Sequence, residues 1–162
     1  MHEATKISEA QFFLGKMSEA REEETAYRYY ASAFLTAARS ILQYAHEESQ
    51  AKPSGQAWFD GEVNDPVISF FKTERDLNIH TRPVNPSHLK AVMMGSPGAI
   101  KINPDTGEVE HFTLPGEMSG PFTLSISFKD WTGTEDATEL CKQYLTKLEA
   151  LVACGRVSGF LT

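Results

Sequence analysis

The run Arg75-Asp76-Leu77-Asn78-Ile79-His80 sets an arginine, an aspartate, an asparagine and a histidine within six residues. Arginine binds phosphate through paired, charge-assisted hydrogen bonds. Histidine exchanges a proton near neutral pH. Together they are a minimal kit for metal-free cleavage of RNA. His80 would handle a proton of the 2′-hydroxyl or of the leaving oxygen, and Arg75 would stabilise charge on the phosphoryl oxygens. DNA lacks the hydroxyl, so the kit selects RNA. On a helix, Asp76 and His80 are four residues apart and share a face, so Asp76 is the residue expected to orient His80. Arg75 is rotated from His80 by about 140° but has a long side chain. Asn78 is expected to add a hydrogen bond near the site. Lys72, Arg82 and Lys90 are expected to guide a nucleic-acid backbone, although Lys72 is also spaced to pair with Asp76.

These residues need a helix that ends beside them. Asp65-Pro66 supplies a capping carboxylate and a proline at the first helical position. Val67, Ile68, Phe70 and Phe71 supply a buried face. Pro83 disfavours a helical residue before it, so the helix is predicted to stop near His80 or Thr81. Its negative dipole end would favour a charged imidazole.

The segment resembles the signature of the HEPN domains (higher eukaryotes and prokaryotes nucleotide-binding). These are all-helical domains carrying R-x(4–6)-H, often with a polar residue straight after the arginine. The motif here is Arg75 to His80, with Asp76 where asparagine is common. The preceding stretch "YRYYASAFLTAARS" is similar to the small-residue core helix of those bundles. The resemblance covers roughly 8–82 and 135–155. It implies a metal-independent endoribonuclease of toxin–antitoxin or defence type, working as a homodimer in which two Arg/His motifs face one cleft. The alternative it implies is a non-catalytic HEPN-like module that binds a protein partner, such as an antitoxin or a nucleotidyltransferase, with the β-meander as its recognition surface.

Apolar periodicity predicts the other helices. One spans about 8–23 with Ser8 as its cap. A longer one spans 24–49, with Tyr27, Ala31, Phe34, Leu35, Ala38, Ile41 and Leu42 inward. The last spans 135–154, with Asp136 and Glu139 as a capping box and Gly155 as its C-terminal cap. Trp58 and Phe59 are expected to form a separate turn on the core. "GAIKINPDTGEVEHFTL" reads as a hairpin around 103–107, and "PFTLSISFKDW" as a third strand. "LKAVMM" reads as a further short strand or turn. The expected fold is mainly α with a β insertion. It is one domain over 1–162, a four-helix HEPN-like bundle with a three-stranded antiparallel meander at about 89–131 before the last helix.

The net charge of −7 argues against bulk-charge binding of nucleic acid. Residues 1–24 carry six Glu against two Lys and one Arg, whereas 72–101 carry five cations against Glu74 and Asp76. A polyanion would therefore meet the middle segment. Nothing approaches the roughly 20 apolar residues of a membrane helix, and the polar start predicts no signal peptide, so the expected compartment is the cytoplasm. Cys141 and Cys154 fall on one predicted helix about 20 Å apart, too far for a disulfide. His46-Glu47-Glu48 lacks the second ligand spacing of a metal site, and no pattern calls for a cofactor.

Overall fold

The computed structural model describes residues 2–80, 82–93, 98–103, 105–113 and 121–162; for residues 79, 80, 91–93, 98–101, 110–113, 121, 122 and 124 it describes the backbone alone. The chain folds mainly as helices, with one small antiparallel sheet. The helices are α1 (His2–Glu19), α2 (Glu24–Gln50), α3 (Gly55–Glu62), α4 (Pro66–His80) and α5 (Ala137–Val157). The strands are β1 (Ser87–Met93), β2 (Gly98–Ile102), β3 (Val109–Thr113) and β4 (Pro121–Ser127). Among the described residues no helix is long and apolar enough to cross a membrane.

Helix α2 is the centre. Its periodic stripe of Tyr27, Ala31, Phe34, Leu35, Ala38, Ile41 and Leu42 is buried almost completely. Small alanines let neighbouring helices approach closely. Ala10 and Met17 of α1 and Leu140, Tyr144 and Leu148 of α5 join the same cluster. Phe71 of α4 stacks on Tyr144 at 4.5 Å, and Phe34 meets the same ring edge-on. Both cysteines are free thiols. Burial pushes the Cys141 pKa well above the usual thiol range.

Several expected boundaries move. Helix α1 starts at His2, and Ser8 lies inside it with its hydroxyl donating to the Ala4 carbonyl at 3.2 Å. The Trp58–Phe59 turn is a helix of its own, so the described residues form five helices where four were expected. Asp65 does cap α4, its Oδ1 accepting from the Val67 and Ile68 amides at 2.9 and 3.2 Å. Asp136 caps α5 through the Thr138 amide, but Glu139 lies 3.6 Å from the Lys142 ammonium instead of completing a capping box. The glycine that closes the C-terminal end is Gly159, directly after the cap residue Ser158, not Gly155. Gly159 has φ +77°, its amide donates to the Arg156 carbonyl, and the Phe160 amide donates to the Gly155 carbonyl. That pair of bonds is the Schellman arrangement. Gly155 serves close approach: a Cβ there would sit 2.6 Å from the Leu161 side chain and 2.8 Å from Trp58.

The sheet differs from the expected meander in strand number and order. It has four strands ordered β3-β2-β1-β4, so β4 lies beside β1 and not beside β3. Three hairpin-linked strands with the fourth returning to the first is a Greek key. The hairpin between β2 and β3 falls where expected, with the Gly107 amide donating to the Asn103 carbonyl. The register of β4 skips at Leu89/Lys90: Thr123 faces Lys90 and Ser125 faces Leu89, leaving Leu124 as the extra residue of a bulge.

Carboxylates from the helical part fasten β4. Glu22, between α1 and α2, accepts from the Thr123 amide at 2.8 Å and the Thr123 hydroxyl at 2.9 Å. Asp136 accepts from the Ile126 amide at 3.0 Å and the Thr138 amide at 2.9 Å. It also receives both terminal nitrogens of Arg21, at 2.9 and 2.8 Å. Burial works against its charge, but Arg21 and the two amides outweigh burial and hold the Asp136 pKa at about 2. The Asp136 side chain is 25% exposed. The gap from 3.8 to about 2 corresponds to roughly 2 kcal/mol of stability. Because the folded-state pKa is depressed, that stability is present above pH 4 and is lost as pH falls towards 2. Urea unfolding across this window is expected to show the loss in wild type. Asp136→Asn should begin roughly 2 kcal/mol less stable at pH 7 and lack that component of the slope. An unchanged slope in the variant would assign the acid sensitivity to other carboxylates.

Candidate functional site

The backbone places the candidate residues of 72–80 on the last turns of α4, which ends at His80 as its sequence predicts. Asp76 and His80 are therefore four residues apart on one helix. The side chain of His80 lies outside the described residues, as does Thr81. Arg75 is half-buried, and its Nη1 donates to the Asp76 carboxylate at 3.1 Å. Its Nε is buried with no hydrogen-bond partner among the described residues. The carboxylate expected to orient His80 is thus the partner of Arg75.

Asn78 is part of the frame. Its Nδ2 donates to the Ser32 hydroxyl of α2 at 2.8 Å, and its Oδ1 accepts from the Val84 amide at 2.9 Å. Both polar ends of the amide are used to fix the helix end and the chain that leaves it. Asn78 is spaced for chemistry in the sequence, but the fold uses it as a clamp.

Arg82 is similarly committed. Its amide donates to the Leu77 carbonyl, extending the end of α4. Its Nη2 sits 3.4 Å from Glu74 and 2.5 Å from Asp130. The Glu74 side chain is only 5% exposed. Burial raises its pKa against the attraction of Arg82, and the negative charge of Asp130 pushes the same way. Lys90 projects from β1 to Glu24 at the start of α2, at 3.3 Å. Lys72 is half-buried, and its expected partner Asp76 pairs with Arg75.

Beside these groups runs an open groove of about 450 Å³. One wall is the α4 stripe Pro66, Ser69, Phe70, Thr73, Glu74 and Leu77, and the other is Asp130, Trp131 and Thr132. Sequence reasoning missed this feature because it depends on where the turn after β4 lands. The apolar stripe on α4 was visible, but its partner across the groove was not. The remaining candidates resolve simply. His46 Nε2 lies 3.0 Å from the Gln56 side chain, and its ring lies 4.6 Å from Phe59. Among the described residues no group of three or more His, Cys, Asp or Glu is placed to hold a metal ion.

No family model, no curated protein and no solved structure matches the chain.

The clamp role of Asn78 has a direct test. Asn78→Ala leaves the Val84 amide unpaired at a residue that is 2% exposed, at a cost of roughly 1–3 kcal/mol. That should lower the melting temperature by about 2–12 °C in a chain of this size. Asn78→Asp keeps the acceptor for Val84 and should lose less. Wild-type melting in Asn78→Ala would show that the two hydrogen bonds hold nothing.

Proposed function

We propose that the chain is a non-catalytic, HEPN-like binding module that presents the end of α4 and the adjoining sheet to a macromolecular partner. One observation carries this reading: three of the four cations expected to meet phosphate are already matched by the chain's own carboxylates. Arg75 meets Asp76, Arg82 meets Glu74 and Asp130, and Lys90 meets Glu24. A polyanion approaching those cations also meets their carboxylates. The exposed pairs contribute little to stability, but their negative charges still repel phosphate. The net charge of −7 acts in the same direction.

The second reading is the metal-independent endoribonuclease implied by the R-x(4–6)-H resemblance, acting at a dimeric cleft. One feature favours it. Arg75 retains a buried Nε with no partner among the described residues, on the same helix end as His80.

RNA cleavage in EDTA separates the two. Purified wild type, Arg75→Ala and His80→Ala would be incubated with structured and single-stranded RNA, after folding is checked by circular dichroism. The binding-module reading expects no cleavage above a buffer control in any sample. Cleavage by wild type that drops at least about 100-fold in both folded variants would overturn it in favour of the nuclease.

A further inference from the structure

The groove beside α4 is a face with no partner among the described residues, and its charges and shape specify what would fill it. Pro66, Phe70, Leu77 and Trp131 line it with apolar surface, and Ser69 and Thr73 add small side chains beside them. Among the described residues its charged lining groups are Glu74 and Asp130, both acidic. Glu74 is 4% exposed as a whole residue, so a largely buried carboxylate lines a mostly apolar groove. A desolvated carboxylate attracts a cation more strongly than one in water.

The walls are held in place. Phe70 packs edge-on against Phe128 at 5.7 Å and lies 5.1 Å from the Trp131 ring. The Trp131 indole N–H donates to Glu135 at 2.7 Å. Gly133 permits that bond, since a Cβ there would fall 2.0 Å from the Glu135 carboxylate and 2.3 Å from the indole nitrogen. Arg82 shows the acid pair's preference from within: one guanidinium nitrogen already bridges Glu74 and Asp130. Even with Arg82 in place the three groups carry net negative charge.

We propose that this groove is a docking site for an arginine-containing apolar segment of a partner protein. The guanidinium would lie against Trp131, where the ring face attracts cations, and reach Glu74 and Asp130. The flanking apolar side chain would fill the space between Phe70 and Leu77. This rests on the binding-module reading, because it names the chemistry of the partner that module takes.

The test uses a small probe with that chemistry. Nα-benzoyl-arginine amide would be titrated into the ¹⁵N-labelled full chain, with the neutral isostere Nα-benzoyl-citrulline amide as control. Millimolar binding is expected, with shifts centred on the Trp131 indole and on residues 69–77 and 130–132. The citrulline compound should bind about tenfold more weakly. Glu74→Gln and Trp131→Ala should each weaken the arginine probe by about fivefold or more. Glu135→Gln, which keeps an acceptor for the indole, should retain it. Equal binding of the two compounds, shifts centred elsewhere or no shifts at all would overturn the proposal. If the chain is also inert towards RNA, such a result removes the groove and leaves the binding module. RNA cleavage dependent on Arg75 and His80 would remove the module itself.

Discussion

The contact on which the architecture turns is the Asp136 carboxylate. It receives Arg21 from the α1–α2 connection, the Ile126 amide from β4 and the Thr138 amide from the first turn of α5. Three elements therefore meet at one side chain, one of them 115 residues away in sequence. A small sheet is marginal alone, and β4 is one of its edges, so its outward amides need acceptors. Glu22 and Asp136 supply them, with the Leu124 bulge altering which amides face outward. The sheet thus reaches the helices largely through charge-assisted hydrogen bonds, with Ile126 and Phe128 adding the apolar contact.

That anchorage determines the far end of the molecule. Once β4 is fixed, the turn after it brings Phe128 into the core against Phe70 and Phe71, and sets Asp130 and Trp131 across from α4. Arg82 then closes the corner between the end of α4 and the same turn. The groove follows from these placements: α4 gives one face, and the turn after β4, whose strand Asp136 holds, gives the other.

The sequence made the helices legible because their signal is local. The stripe of α2, the Asp65-Pro66 start of α4 and the Pro83 stop each depend on a few neighbouring residues. The β2–β3 hairpin was legible for the same reason, through its Asn103–Gly107 turn. The position of β4 was not, because its pairing with β1 is decided by the bulge and by Glu22 and Asp136, and neither register nor distant partners show in a period-two pattern. Gly155 and Gly159 illustrate the limit at residue scale. Both suit a helix end, and only the packing of Leu161 and Trp58 tells which is the cap and which the contact. For the candidate site, the sequence supplied residue types but not their partners. Asn78 and Arg82 had the right chemistry for a ligand, and the fold assigned that chemistry to its own frame.

The three matched cations are not equivalent, and burial ranks them. Arg82 faces Glu74, whose side chain is 5% exposed, so withdrawing the guanidinium would leave a buried carboxylate unpaired. That arginine is committed to structure, and a role for it in guiding phosphate is the hardest to sustain. Lys90 and Glu24 are both well exposed and are held together weakly. Arg75 lies between these cases. Its partner Asp76 is the adjacent residue and is 56% exposed, and side chains one apart on a helix do not naturally face each other. The pair is therefore a loose one, and its energy is small beside that of desolvating the half-buried guanidinium. Asp76 lowers the attraction of the site for phosphate without locking Arg75 away. Whatever chemistry the end of α4 retains is thus concentrated at Arg75, while Arg82 and Asn78 are the groups that hold that helix end in position.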